Sequence, residues 1–113
     1  MKIFILLTAL FITPVVYSQS VRAINEKSAN DYLKTEAQLK KVFKQVMDSI
    51  PTEDGKVRAA LQKSEDAWLN FRKREGEYIS ALYGAGSMMD YYYYTALKRM
   101  TLDRIKQLKA DGL

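Results

Sequence analysis

Trp68 and Arg72 are the residues of this sequence best placed to do something specific. They stand four apart, so on a helix they share a face. A guanidinium beside an indole can stack on the ring, or it can reach a carboxylate such as Glu65 or Glu75. The ordinary outcome is structural, with Trp68 as a core anchor and Arg72 as its half-buried partner. Direct ligand contact is the sharper alternative. The second feature is the run Tyr91, Tyr92, Tyr93 and Tyr94. Consecutive helical residues turn by about 100°, so these rings cannot all face a core. At least one or two must reach the surface. There a tyrosine brings contact area and a polar tip at low entropic cost, which makes the run a candidate interface.

The remaining inventory argues against catalysis. The chain has no histidine and no cysteine. It therefore lacks the commonest general base, the commonest metal ligand and the thiol nucleophile. Gly84-Ala85-Gly86 is too short for a phosphate-binding loop and follows no strand. Glu65, Asp66, Glu75 and Glu77 could pair in principle, as glycosidase carboxylates do. Glu65 and Glu75 lie almost three helical turns apart, however, and a solvated charged face accounts for these acids. No carboxylate loop suits a metal. The expectation is a protein without enzymatic activity, cofactor or metal.

The elements that position these residues are helices. Met1-Lys2 gives a short positive start, Ile3 to Val16 is almost wholly apolar, and Val16-Tyr17-Ser18 resembles a peptidase site. Residues 1–18 thus read as a cleavable signal peptide, with cutting before Gln19. The apolar run is too short for a membrane span, which needs about 20 residues. The mature form is then expected to have no transmembrane anchor, and its location to be the periplasm or the extracellular space. Residues 19–27 read as a loose N-terminal leader and 28–111 as one helical domain. The net charge of the chain is +5. Lys2 is the only charge in the signal segment, so the mature chain carries about +4. Such a balance serves solubility, and it also attracts anionic envelope polymers or lipid headgroups. Basic and acidic residues are interleaved, which argues against a nucleic-acid arm.

Ser28-Ala29-Asn30-Asp31 matches a capping box and starts the first expected helix, which runs to Ile50 before Pro51. Leu39, Val42, Phe43, Val46, Met47 and Ile50 lay an apolar stripe along it. The second helix is expected from Thr52–Asp54 to Tyr83. Its seam would be Val57, Leu61, Ser64, Trp68, Phe71, Tyr78 and Leu82, with Glu75 as the exception. Gly84 to Gly86 breaks the chain. Ser87-Met88-Met89-Asp90 matches a second capping box, and Tyr94, Leu97, Thr101, Ile105 and Leu108 line the third helix. The fold class is all-α, a small bundle of three antiparallel helices.

Several short stretches taken together resemble one family. These are Asp31-Tyr32-Leu33-Lys34, Glu36-Ala37-Gln38-Leu39 and Val42-Phe43; Ala67-Trp68-Leu69-Asn70-Phe71-Arg72; and Met100-Thr101-Leu102-Asp103-Arg104 with Leu108. In order and spacing they resemble the LprI-like lysozyme-inhibitor domain, over roughly Asp31 to Lys109. The resemblance makes Trp68, Arg72, Thr101 and Arg104 the motif residues, structural or binding. It also implies cysteines in other members at the places held here by Gly76 and Ala96, so that packing must replace a bridge. The function it implies is an exported, non-enzymatic binding protein of the cell envelope, with a lysozyme or other envelope protein as partner. The alternative is a structural or accessory module that touches anionic cell-wall or membrane material. Many lysozymes are basic, so inhibition by this positively charged chain calls for a local acidic patch, such as Glu75 and Glu77, or for a less basic target.

Overall fold

A computed structural model describes the backbone of residues 2–112 and the side chains of residues 16–112. Most of the expected signal peptide lies outside the described side chains. The elements are α1 (Lys2–Ser49), α2 (Gly55–Tyr83) and α3 (Met89–Gly112), with no strand among the described residues. The chain is therefore an all-α bundle in which successive helices run antiparallel. Asn25 meets the start of α3 and Ser49 meets its end, so α1 and α3 point the same way. Arg104 meets Glu65 while Tyr93 meets Gly76, so α2 runs opposite to both. Among the described residues, no helix is long and apolar enough to cross a membrane.

The inner edge of α1 is a strict alternation of four- and three-residue steps. Val21, Asn25, Ser28, Tyr32, Thr35, Leu39, Val42 and Val46 are all buried or half-buried. That is a heptad seam. Its second half is apolar: Leu39, Val42 and Val46 join Ile105 and Leu108 of α3 in the core cluster, with Phe43, Leu61 and Trp68 packed against it. Burying each such side chain contributes about 1.5–3 kcal/mol. The first half is polar, and its hydroxyls are satisfied inside their own helix. Ser28 donates to the Asn25 carbonyl at 2.8 Å, and Thr35 donates to the Asp31 carbonyl at 2.9 Å.

Four sequence expectations change here. Ser28 does not start a helix; α1 is already continuous through it. The loose leader at 19–27 is instead helical and docked, with Val21 buried and Asn25 bonded to α3. The capping motif carried no information because nothing upstream breaks the helix. Ser87 likewise lies in the turn, and α3 begins at Met89. Its cap comes from another helix: the Asn25 side chain accepts from the Tyr91 backbone N–H at 3.1 Å and donates to the Ser87 carbonyl at 2.9 Å. One of the four unpaired N–H groups of α3 is thereby satisfied across the interface.

The other end of the bundle uses the same device. Pro51 stops α1, and Arg58 of α2 donates to the freed carbonyls of Met47 and Ile50 at 2.9 and 2.8 Å. Between α2 and α3, Gly84 closes the last turn of α2 through its N–H to the Ser80 carbonyl at 2.9 Å. It does so at φ 64°, which side-chain-bearing residues resist.

The seam of α2 is the fourth change. Val57, Ser64, Phe71, Tyr78 and Leu82 are exposed. The helix instead turns Leu61, Glu65, Trp68, Leu69, Arg72, Gly76 and Ile79 inward. A buried glutamate and a buried glycine do not register as core positions in a hydrophobic pattern, so the apparent seam is rotated toward the larger apolar side chains.

Candidate functional site

The inward face of α2 carries two ion pairs, one to each neighbouring helix. Arg72 reaches α1, where its Nη1 donates to Glu36 Oε2 and its Nη2 to Glu36 Oε1 at 3.3 Å. Nη1 also donates to Thr101 Oγ1 of α3 at 3.1 Å. Thr101 is fully buried, and its hydroxyl donates a hydrogen bond to the Leu97 carbonyl at 2.7 Å. One guanidinium therefore ties all three helices together, which only a long side chain with several donors can do.

Almost two turns away on α2, Glu65 accepts from Arg104 Nε at 3.0 Å. Glu65 and Arg104 are 4% and 6% exposed. The remaining donors of Arg104 go to Gln107 Oε1 at 2.7 Å and Ser64 Oγ at 3.3 Å. Among the described residues, no buried side-chain nitrogen or oxygen lacks a partner. Taking two charges out of water is costly, and full satisfaction is what makes such a pair tolerable.

Trp68 lies between the two pairs. Its ring is 5.0 Å from the Arg72 guanidinium and 5.9 Å from that of Arg104. Arg72 also sits 5.5 Å from the Tyr32 ring. Burial pushes the Tyr32 phenol above its ordinary pKa, an effect that the positive charge of Arg72 partly opposes.

Trp68, Arg72, Thr101 and Arg104 are thus brought into one network, although they come from two helices. Arg72 does not take Glu65 or Glu75, the partners suggested by position along its own helix. It takes Glu36, and Glu65 goes to Arg104. Glu36 and Glu65 are the residues that reading by local spacing missed. Glu36 lay within the quoted Glu36–Leu39 stretch, but nothing local showed that it faces Arg72.

The tyrosine run divides around its helix as its angular spacing requires. Tyr93 lies against Gly76, where an added Cβ would meet Tyr93 Cε2 at 2.8 Å and Leu97 Cδ2 at 3.3 Å. In this chain the Tyr93 ring occupies the space beside the position where the resemblance implies a cysteine. Tyr94 packs on Tyr32 of α1 with ring centroids 5.9 Å apart. Tyr91 is half-buried. Tyr92 is exposed and stacks on Tyr83 of α2 at 4.2 Å and 10° between planes.

No group of acidic side chains among the described residues is arranged to hold a metal ion. Among the described residues, the clefts found are open surface grooves. One of ≈ 360 Å³ lies between the α1–α2 turn and the end of α3, lined by Ile50, Val57, Leu61, Arg104 and Leu108 among others. The network is therefore a set of struts inside the bundle, and its charges face one another.

Residues 16–108 match the family model described as lysozyme inhibitor LprI, and the chain belongs to that family. Neither the curated proteins nor the solved structures contain a match to it.

Proposed function

We propose that this chain is an exported, non-enzymatic envelope protein that binds a lysozyme-type cell-wall hydrolase and blocks it by occupying it. The family match over residues 16–108 carries this reading. The geometry is consistent with it, because the charged side chains of the interior are spent on one another, Arg104 included although it also lines the groove beside the α1–α2 turn. The apolar start of the sequence, ending at Val16-Tyr17-Ser18, supports export with cleavage before Gln19.

The test is titration of the purified chain, beginning at Gln19, into wall-lysis assays with several lysozymes. A binder gives a linear fall in activity that ends at a fixed molar ratio. A substoichiometric effect, or the absence of inhibition across the panel, would refute the reading. A second reading is favoured by the exposed lysines Lys34, Lys40, Lys41 and Lys44 on α1. It makes the protein an accessory module on anionic wall or membrane material. Adhesion to peptidoglycan that vanishes with added salt, without inhibition of any enzyme, would establish it.

A further inference from the structure

We infer that two copies of this chain pair antiparallel through the outer flank of α2. The inference is independent of the inhibitor reading. It starts from a seam that α2 carries besides its inward one. Val57, Ser64, Phe71 and Tyr78 recur every seven residues, and Ala60, Ala67, Arg74 and Ala81 follow each by three. All of them are exposed. Steps of three and four lay them in one stripe, the pattern by which a helix packs on another helix. Val57, Phe71 and Tyr78 remain 53%, 53% and 58% exposed. Single exposed apolar residues are ordinary, but an apolar stripe along most of a helix marks a contact surface. Arg74 is the only charge on it, and that guanidinium turns to Glu77 of its own helix at 3.1 Å.

The stripe fits itself when it is reversed, which makes a second copy its occupant. Set antiparallel with Ala67 beside Phe71 of the other chain, it places Ala60 beside Tyr78 and Val57 beside Ala81. The two-fold axis repeats each layer once. Every apolar layer then joins one large side chain to one alanine, the alternation that lets facing side chains interdigitate. The remaining layer joins Ser64 to Arg74, whose charged head can stay in water. A parallel pair would instead set Phe71 on Phe71, alanine on alanine and Arg74 on Arg74, with crowded, empty and repelling layers in turn.

Charge selects the same register. The stripe is flanked on its solvent side by Lys63, Asn70 and Glu77, all exposed. In the antiparallel pair Lys63 meets Glu77 of the second copy, twice by symmetry, and Asn70 meets its counterpart on the axis. Glu77 then sits between Arg74 of its own chain and Lys63 of the other. Lys56, one heptad earlier, falls beside the uncharged Gly84 turn. On the inner flank, Glu75 falls beside Leu61 of the second copy, so no like charges oppose. Within one chain Lys63 and Glu77 are about 21 Å apart along the helix and cannot pair. From Val57 to Ala81 the strip is about 36 Å long and 10–12 Å wide, roughly 400 Å² in projection on each copy, which places the pair among weak, concentration-dependent interfaces.

The experiment is sedimentation velocity on the purified chain beginning at Gln19, over about 5–500 µM, the range in which a weak interface of this size should assemble. The parent should pass from monomer to dimer. Phe71→Glu should weaken the dimer about ten-fold or more, because the change enters a central layer twice. Lys63→Glu and Glu77→Lys should each weaken it about five-fold at low salt, and the double exchange should restore it. Circular dichroism checks that each variant is folded, as exposed positions allow. The chain has no cysteine, so single thiols report the register. A short bis-maleimide should join two copies of Asn70→Cys but not of Lys63→Cys, whose thiols lie about 21 Å apart along the paired helices. Monomers at every concentration would overturn the inference. So would a dimer that Phe71→Glu leaves intact, one that the charge exchange fails to restore, or equal cross-linking of the two thiol variants.

Discussion

Breaking the Arg72–Glu36 pair should separate a structural strut from a ligand contact. Arg72→Met removes two hydrogen bonds to Glu36, one to Thr101, and the contacts of the cation with Tyr32 and Trp68. It leaves the Glu36 carboxylate with only a 3.5 Å contact to the Tyr32 hydroxyl. Stranding a fully buried charge costs about 3–5 kcal/mol. The Arg72 and Glu36 side chains retain 12% and 17% exposure, so water recovers part of that. The expected loss is about 2–4 kcal/mol for Arg72→Met. Glu36→Met should cost less, about 1.5–3 kcal/mol, because Arg72 keeps Thr101 and two aromatic faces. The double variant strands neither charge, so it should be more stable than the sum of the single changes predicts by about 1–3 kcal/mol. Urea unfolding followed at 222 nm gives all three values. Additive losses, with a coupling below about 0.5 kcal/mol, would show that the two groups do not act as a unit. A folded Arg72→Met protein of unchanged stability that had lost its target would make Arg72 a contact residue instead.

Three further changes test the packing around this network. Trp68→Ala should cost about 3 kcal/mol, the low end for a large aromatic because the ring is only half-buried, and a loss under about 1 kcal/mol would mean that it anchors nothing. Gly76→Ala gains about 1 kcal/mol of helix propensity, but its Cβ would sit 2.8 Å from Tyr93; overpacking of about 1–3 kcal/mol should win, and a raised melting temperature would refute the close approach. The third concerns pH. The raised pKa of Tyr32 means that the folded state keeps the phenol proton while the unfolded chain releases it near pH 10. Stability from this group is present below that pH and is lost as pH rises through and above it. The urea midpoint of Tyr32→Phe should therefore fall less steeply above pH 10 than that of the parent, and parallel curves would contradict the assignment.

What the sequence made legible was its punctuation. Pro51 and the Gly84–Gly86 turn divide the chain where the helices end, because proline disfavours helical geometry in the residue before it and Gly84 takes up a positive φ. The stripes of α1 after Leu39 and of α3 after Tyr94 were legible too, since their core residues are mostly large and apolar. Where the seam is built from Asn25, Ser28 and Thr35, it looks like solvent-facing helix. Its burial depends on hydroxyls that bond within their own helix and on an amide that caps another one. The partner of Arg72 was illegible for a related reason. Glu36 and Arg72 lie on different helices, and only the assembled bundle sets their distance. On α2 the large exposed residues drew the apparent seam away from Glu65 and Gly76.

The division of the α1 seam into a polar and an apolar half has a dynamic consequence. The greasy contacts of Leu39, Val42, Val46, Ile105 and Leu108 lie toward the α1–α2 turn, whereas at the other end Asn25 alone of this seam's polar residues holds the start of α3 by hydrogen bonds, Ser28 being bonded within α1. Opening from that end exposes little apolar surface, so it should occur at a lower free energy than opening of the whole bundle. Amide hydrogens near Asn25 and Tyr91 would then exchange by local fraying, while those around Val42 and Ile105 would wait for global unfolding.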